Sequence, residues 1–464
     1  MPCLVALEDA RQLLSELPAE VVPAEPDRRQ QLVIGLYLTV LFIALSKGPI
    51  FQARQRFGEV NGDFIDDHAI QLTFAVIYIA GLAMYRGAIP VLQRCRLLVV
   101  AVGGLCVVLL ASSIWSYVPW RTGQQSVMFA LGTAAAILAG LRARPVTVVL
   151  GLAASQQFGT LLGRWAIHRN WSGAINNTGY WQGIYYNRNS YGMTATLAAA
   201  STIIVIALVL RHAIRVPDAR HRIVACAAAL VLVDCVLIDA TVLRMTRSLT
   251  PTGGVAVAMA VALLIALLPQ MWRHRPRAPL VIAVMCLAGG ALTWQVGLTL
   301  RDRLSRSIGR TPDLAGRTPI WSTVREYFWH RPVAGWGFFA VWLNPAIHKE
   351  LLTKTYDVFE AHTGYYEIAV GAGFIGVLAL GAALFACIYS CSVATCRLEG
   401  FERLWPLPVA MFVLAVNVTE TYIAANVLPW ALLVIVSVGS VAGVANRRWR
   451  TRPISEGVFV DSPE

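Results

Sequence analysis

The segment Ala361-His362-Thr363-Gly364-Tyr365-Tyr366-Glu367 sets an imidazole beside two phenols and a carboxylate. Histidine takes up a proton near neutral pH, so His362 could deprotonate a hydroxyl nucleophile. Composition alone does not choose it, because His168, His330 and His348 fall on the same predicted side of the chain. Upstream lie Arg301, Arg303, Arg306, Arg310 and Arg317, against only Asp302 and Asp313. The planar fork of an arginine suits phosphate oxygens and stays charged. Arg317 has an added advantage: it precedes Thr318-Pro319, an N-cap followed by proline at the first helical position, and a helix N-terminus favours anions. A second polar cluster runs from Trp181 through Asn187, Arg188 and Asn189 to Gly192, dense in the amides and aromatics that suit sugar contacts. Arg244 and Arg247 with Ser248, Thr250 and Pro251 form a third. Glu420 is an ionisable residue near the end of an apolar run, which reads either as a functional group or as a buried partner for an arginine.

Apolar elements must carry these groups. Of the 464 residues, 57% are hydrophobic and 14% charged, with a mean hydropathy of +0.59. Soluble proteins hold roughly 45–50% apolar and about 25% charged residues. This chain falls outside that class, and disordered, collagen-like and disulfide-scaffold proteins are excluded by the same figures. Twelve apolar runs approach the roughly 20 residues needed to cross a bilayer. They lie near 31–46, 68–85, 97–114, 124–141, 145–163, 192–210, 222–242, 253–271, 278–299, 366–390, 405–422 and 428–445. The expectation is an all-α polytopic membrane protein with about twelve spans. A cytoplasmic segment 1–30 precedes spans one to nine (31–299). A long, partly helical extracytoplasmic catalytic loop fills 300–365, and spans ten to twelve (366–445) lead to a cytoplasmic tail (446–464).

Charge sorts the loops. With the N-terminus inside, 21 of the 39 basic residues fall on the cytoplasmic side and nine of the rest in the long outer loop. The positive-inside rule therefore favours N-in and C-in, and the net charge of +13 becomes a topology signal with no support for nucleic acid. The nine cysteines show no metal spacing and none falls in a predicted outer loop, so no disulfide is expected. Residues 1–30 lack the apolar core of a signal peptide. Leu4 to Leu17 could form an amphipathic surface helix. In the long loop, Ile320, Trp321, Val324, Tyr327 and Phe328 recur at helical spacing opposite Thr323, Arg325 and Glu326, which predicts an amphipathic helix on the outer leaflet.

Five stretches, in order, resemble the O-antigen ligase and polymerase-like membrane family, with exopolysaccharide polymerases nearest in flavour. Ser113-Ile114-Trp115-Ser116-Tyr117-Val118-Pro119 is similar to its S-x-x-W-S-x-x-P. The run from Trp181 to Gly192 resembles a W-x-G segment ending in N-x-x-G. Ser248-Leu249-Thr250-Pro251 is similar to a Ser-basic-Thr motif, with Leu249 where the family has a cation, so that Arg247 or Arg244 would have to substitute. Gly316-Arg317-Thr318-Pro319-Ile320-Trp321 with Pro332 to Phe338 makes the fourth. Ala361-His362-Thr363-Gly364-Tyr365 with Gly373-Phe374-Ile375-Gly376 makes the fifth, and carries Thr363 for the family's Asn.

The resemblance implies a fold like that of GT-C glycosyltransferases and inverting, metal-independent glycosyl transfer on the outer face of the bacterial inner membrane. The donor would be a glycan on a polyprenyl diphosphate, undecaprenyl diphosphate in bacteria, and the acceptor a glycan, lipid or protein hydroxyl. It makes His362 the general base and Arg317 and Arg188 the diphosphate or donor ligands, with Arg310 and Arg247 in support. Asn187, Asn189, Trp181, Trp321, Tyr365, Tyr366, Glu367 and Glu420 would position substrate. It implies no cofactor and no metal, with membrane lipids and a chain-length regulator as further partners. Two other readings stay open: a ligase that transfers a finished glycan once, and a flippase that moves lipid-linked oligosaccharide. A metal-dependent transferase using Asp63, Asp66 and Asp67 is a third.

Overall fold

The structure, a computed structural model, describes residues 27–50, 68–84, 95–268, 275–291, 317–354, 360–423 and 427–450. Arg310, Asp63, Asp66, Asp67 and the Leu4–Leu17 stretch lie outside them. Among the described residues every named element is helical. The order is α1 (Arg28–Leu45), α2 (His68–Met84), α3 (Arg96–Ala111), α4 (Pro119–Arg142), α5 (Pro145–His168), α6 (Arg188–Arg215), α7 (Ala219–Thr246) and α8 (Leu249–Leu267). Then come α9 (Ala278–Ala291), α10 (Arg317–His330), α11 (Pro345–Lys354), α12 (Gly364–Arg397), α13 (Gly400–Leu404), α14 (Pro406–Val416) and α15 (Leu428–Arg450).

Nine described helices are long and apolar enough to cross a membrane, and α2 and α9 are shorter apolar helices. Each of the twelve predicted runs contains a described helix. Several helices overrun the apolar runs because their ends carry charged and polar residues: run 366–390 becomes Gly364–Arg397. Run 405–422 is the reverse case. Its helix α14 stops at Val416, and residues 417–420 turn back toward the bundle. Large apolar side chains such as Leu72, Leu97, Val107 and Leu378 stay exposed along the outer faces, as bilayer-facing helices require. This is an all-α, multi-pass membrane protein.

Local chemistry fixes the boundaries. Asp27 and Gln30 form a reciprocal capping box at the start of α1. Pro119 and Pro145 open α4 and α5, and Pro145 splits two runs that read as nearly continuous. At the centre, α15 packs on α4, α12 and α14, while α12 also packs on α3. On one flank α1, α5, α6 and α7 follow each other side by side.

The fourth and fifth motifs meet backbone to backbone. The α12 helix breaks at Gly373 (φ 62°), and the loop after α10 inserts there. Trp336 and Gly337 donate their N–H groups to the carbonyls of Val370 and Gly371, at 3.0 and 2.8 Å. Phe374 and Ile375 donate in return to Pro332 and Val333, at 2.7 and 3.2 Å. A Cβ on Gly373 would stand 2.3 Å from the Val333 oxygen, and one on Gly335 would stand 2.5 Å from the backbone of Gly371. The first motif locks the same loop: Trp115 Nε1 donates to the Ala334 carbonyl at 2.7 Å, and Ser112 Oγ accepts from Phe338 N. Gly373→Ala is therefore expected to lose at least the ~1–3 kcal/mol of a strained backbone position. Gly381→Ala, which meets open space, should be neutral or slightly stabilising. Denaturation of the two purified variants in detergent, followed in parallel, checks the contrast.

Candidate active site

The α10 helix delivers the first cation. Ile320, Trp321, Thr323 and Val324 are its buried face, packed on Val341, Trp342, Ile347, Ala361 and Val370. Thr323, expected on the polar side, is buried because it lies within 60° of Ile320 on a helix of 100° per residue. That apolar face is covered by protein, so the helix is held against α12 and its loops where the sequence predicted a leaflet. Trp321 Nε1 donates to the Ala361 carbonyl at 2.9 Å, tying the start of α10 to the segment that carries His362.

Glu420 is where the motifs converge. Its Oε1 accepts from Arg317 Nη2 at 2.6 Å and from Asn189 Nδ2 at 2.6 Å. Asn189 Oδ1 in turn accepts from Ser248 Oγ at 2.9 Å, which brings in the third motif. The Glu420 carbonyl accepts from Gly364 N, next to the fifth. Asn417 Oδ1 holds the turn by accepting from Tyr422 N and Ile423 N, at 2.9 and 2.7 Å. Glu420 is buried and Arg317 nearly so, with 5% and 13% of the side chain exposed.

His362 sits beside this pair in the left-handed backbone region (φ 50°), uncommon for a residue with a Cβ. Its Nδ1 lies 3.0 Å from Glu360 Oε1. Burial would raise the Glu360 carboxyl, but the His362 imidazole and the charges of Lys47 and Arg317 outweigh it and hold that carboxyl below its ordinary value. Lys47, just past α1 and itself at φ 66°, is the second cation. Burial pushes its ammonium down, opposed by Glu360.

The other predicted residues have distinct places. Glu367 is buried, and its two oxygens accept from Trp342 Nε1 (2.5 Å) and Ala361 N (2.9 Å), so it braces the histidine loop from behind. Tyr366 packs edge-on against Trp321, and the Tyr365 hydroxyl donates to the Leu414 carbonyl. Asn187 caps α6 by accepting from Ser190 N. Trp181 packs in a satellite cluster with Tyr185 and Tyr191. Arg188 and Arg247 converge on the ring of Tyr180, at 4.4 and 5.8 Å, which joins the second and third motifs in a second basic corner. Glu360 and Lys47 were missed by sequence reasoning. Lys47 carried a signal, as a lone cation in Ser46-Lys47-Gly48-Pro49 at the C-terminal end of an apolar run.

Glu360, His362 and Glu420 bring ligand atoms within 4.8 Å of one another, a donor set a divalent ion could use. Arg317 already engages Glu420 in an ion pair, and the charge of Lys47 acts on Glu360.

Glu360 yields a pH prediction. A carboxyl with a lowered folded pKa stabilises the fold above its unfolded value of about 4.3, and this contribution is lost as pH falls through the folded value. Glu360→Gln is expected to flatten the acid-side fall in denaturation midpoint and to slow turnover by roughly 10- to 100-fold, less than loss of the base itself. Midpoints and initial rates measured against pH on both proteins check it.

This arrangement defines a polytopic membrane protein in which an imidazole and two carboxylates are gathered beside a guanidinium. Residues 235–381, from within α7 to the middle of α12, match the family model described as O-antigen ligase, which supports an O-antigen ligase/polymerase-like family whose members carry out glycosyl transfer. The matched stretch contains Arg317, Glu360 and His362. A comparison with curated proteins gives no match.

Proposed function

We propose that the protein is a polysaccharide polymerase-type glycosyltransferase. It works at the outer face of the bacterial inner membrane on oligosaccharides linked to a polyprenyl diphosphate. The observation that carries this reading is the convergence of Arg317, Glu420, Asn189, Glu360 and His362 in one partly buried cluster, with the charge of Lys47 acting on Glu360. Four of the five sequence motifs contribute to it.

In this mechanism the acceptor hydroxyl attacks the anomeric carbon of the donor and passes its proton to His362 Nε2. The bond from the anomeric carbon to the diphosphate oxygen breaks, and its electron pair leaves with the lipid diphosphate. The configuration inverts because one displacement occurs. The leaving group gains charge, so cations already aimed at it lower the barrier. Glu420 fixes the Arg317 guanidinium through Nη2 alone, and its other N–H groups serve the diphosphate. Arg188 and Arg247 supply a second basic patch nearby in the chain's fold, where a family cation is replaced by Leu249. Glu360 orients the histidine and offsets the positive charge it acquires.

Arginine and lysine supply the charge a metal would otherwise provide, so transfer should be insensitive to chelation. The test incubates purified protein with a polyprenyl-diphosphate oligosaccharide, with and without EDTA. EDTA-resistant lengthening of the glycan is the expected result. A single transfer without lengthening would replace polymerase with ligase. Movement of the lipid across a bilayer without bond formation, or loss of all transfer in EDTA, would overturn the reading.

A further inference from the structure

The α7 helix carries two aspartates, Asp234 and Asp239, on opposite sides. Asp239 faces inward, is fully buried, and accepts from Gln157 Nε2 of α5 at 2.5 Å. Gln157 also donates to Thr202 of α6. The bundle thus supplies a donor to the carboxyl that points into it. Asp234 points the other way, is exposed, and has no hydrogen bond or ion pair among the described residues.

Its depth makes that exposure costly. Asp234 is twelve residues from Arg222 and ten from Arg244, the basic residues near the two ends of α7. At 1.5 Å per residue it stands about 18 and 15 Å from them, at the centre of a ~30 Å hydrocarbon layer. A carboxyl there faces no water and is rare unless something pairs with it. Around it Ala227, Leu230, Val231, Leu237 and Thr241 are also exposed, forming one face. Only 11% of the membrane window of α7 is buried, against 72% for α15.

We propose that this face is a membrane-embedded docking surface for a transmembrane helix of a different polypeptide, one that carries lysine, arginine or histidine at mid-bilayer depth. Charge complementarity selects that partner over a second copy of this chain. Within the described spans, every arginine and lysine lies within two turns of a helix end, so a copy offers no cation at this depth. The small residues Ala227 and Ala228 beside the exposed turn allow close approach of a second helix backbone.

The test reconstitutes the full protein, donor-labelled on a terminal fusion, in phosphatidylcholine vesicles. Two acceptor-labelled polyleucine transmembrane peptides are titrated, one with a central lysine and one with leucine there. The lysine peptide should associate roughly tenfold more tightly by energy transfer, and Asp234→Leu should abolish the difference. Because the peptide swap leaves the protein unchanged, that arm is independent of any folding defect in the variant. Equal association of both peptides with the unaltered protein would overturn the proposal. So would single-molecule photobleaching that shows a dimer which Asp234→Leu dissociates, since the occupant would then be a second copy.

Discussion

His362→Ala is expected to lower the rate of glycosyl transfer by roughly 10²- to 10⁴-fold, the span associated with a positioned general base. Donor affinity should change little, because in the proposed mechanism the imidazole acts on the acceptor proton and the diphosphate is held by other groups. The fold should survive as well. His362 Nδ1 lies against Glu360, while the loop around it is held by Glu367, Trp321 and Gly364 through separate hydrogen bonds. Single-turnover rates with saturating donor, alongside donor binding to the same variant, check the split. A variant that loses donor binding and rate together would move His362 from proton transfer to the binding of the diphosphate.

Arg317→Ala carries two penalties that can be separated. Removing one partner of a buried ion pair leaves Glu420 buried without its cation, at a cost of about 3–5 kcal/mol. Removing a donor aimed at developing charge costs roughly 10²- to 10³-fold in rate. The double variant Arg317→Met with Glu420→Leu replaces the pair by apolar groups and should recover most of the stability. It should not recover transfer. Arg317→Lys keeps the charge but loses the fork that serves Glu420 and a diphosphate together, so it should remain well below the parent. Denaturation midpoints and transfer rates on the three variants separate the two penalties. Full activity in the stable double variant would remove Arg317 from the chemistry.

The architecture was legible because hydrocarbon imposes a simple rule: long apolar runs become helices, and their charged flanks mark the ends. The exceptions have local causes. Run 405–422 reads as one span, yet Asn417 accepts two backbone N–H bonds and turns the chain, which is what presents Glu420. In the candidate site, His362, Arg317, Asn189 and Glu420 stood out because polar residues are scarce in such a chain. What a sequence without contacts could not provide was their pairing. The Arg317–Glu420 bond spans 103 positions and the Asn189–Glu420 bond 231. Glu360 was lost for the same reason, since its role depends on facing His362 and Lys47 across a fold. Thr323 shows a smaller failure, where polarity was read as exposure although helical geometry places the residue beside Ile320.

In the proposed mechanism one displacement occurs at the anomeric carbon, driven by a base and by cations aimed at a departing diphosphate. The anomeric configuration of the linkage made by the unaltered protein, determined by NMR against that of the donor, tests this most directly. Inversion, with one polyprenyl diphosphate released per new linkage, is the predicted result. Retention of configuration, or a linkage formed with no diphosphate released, would contradict it.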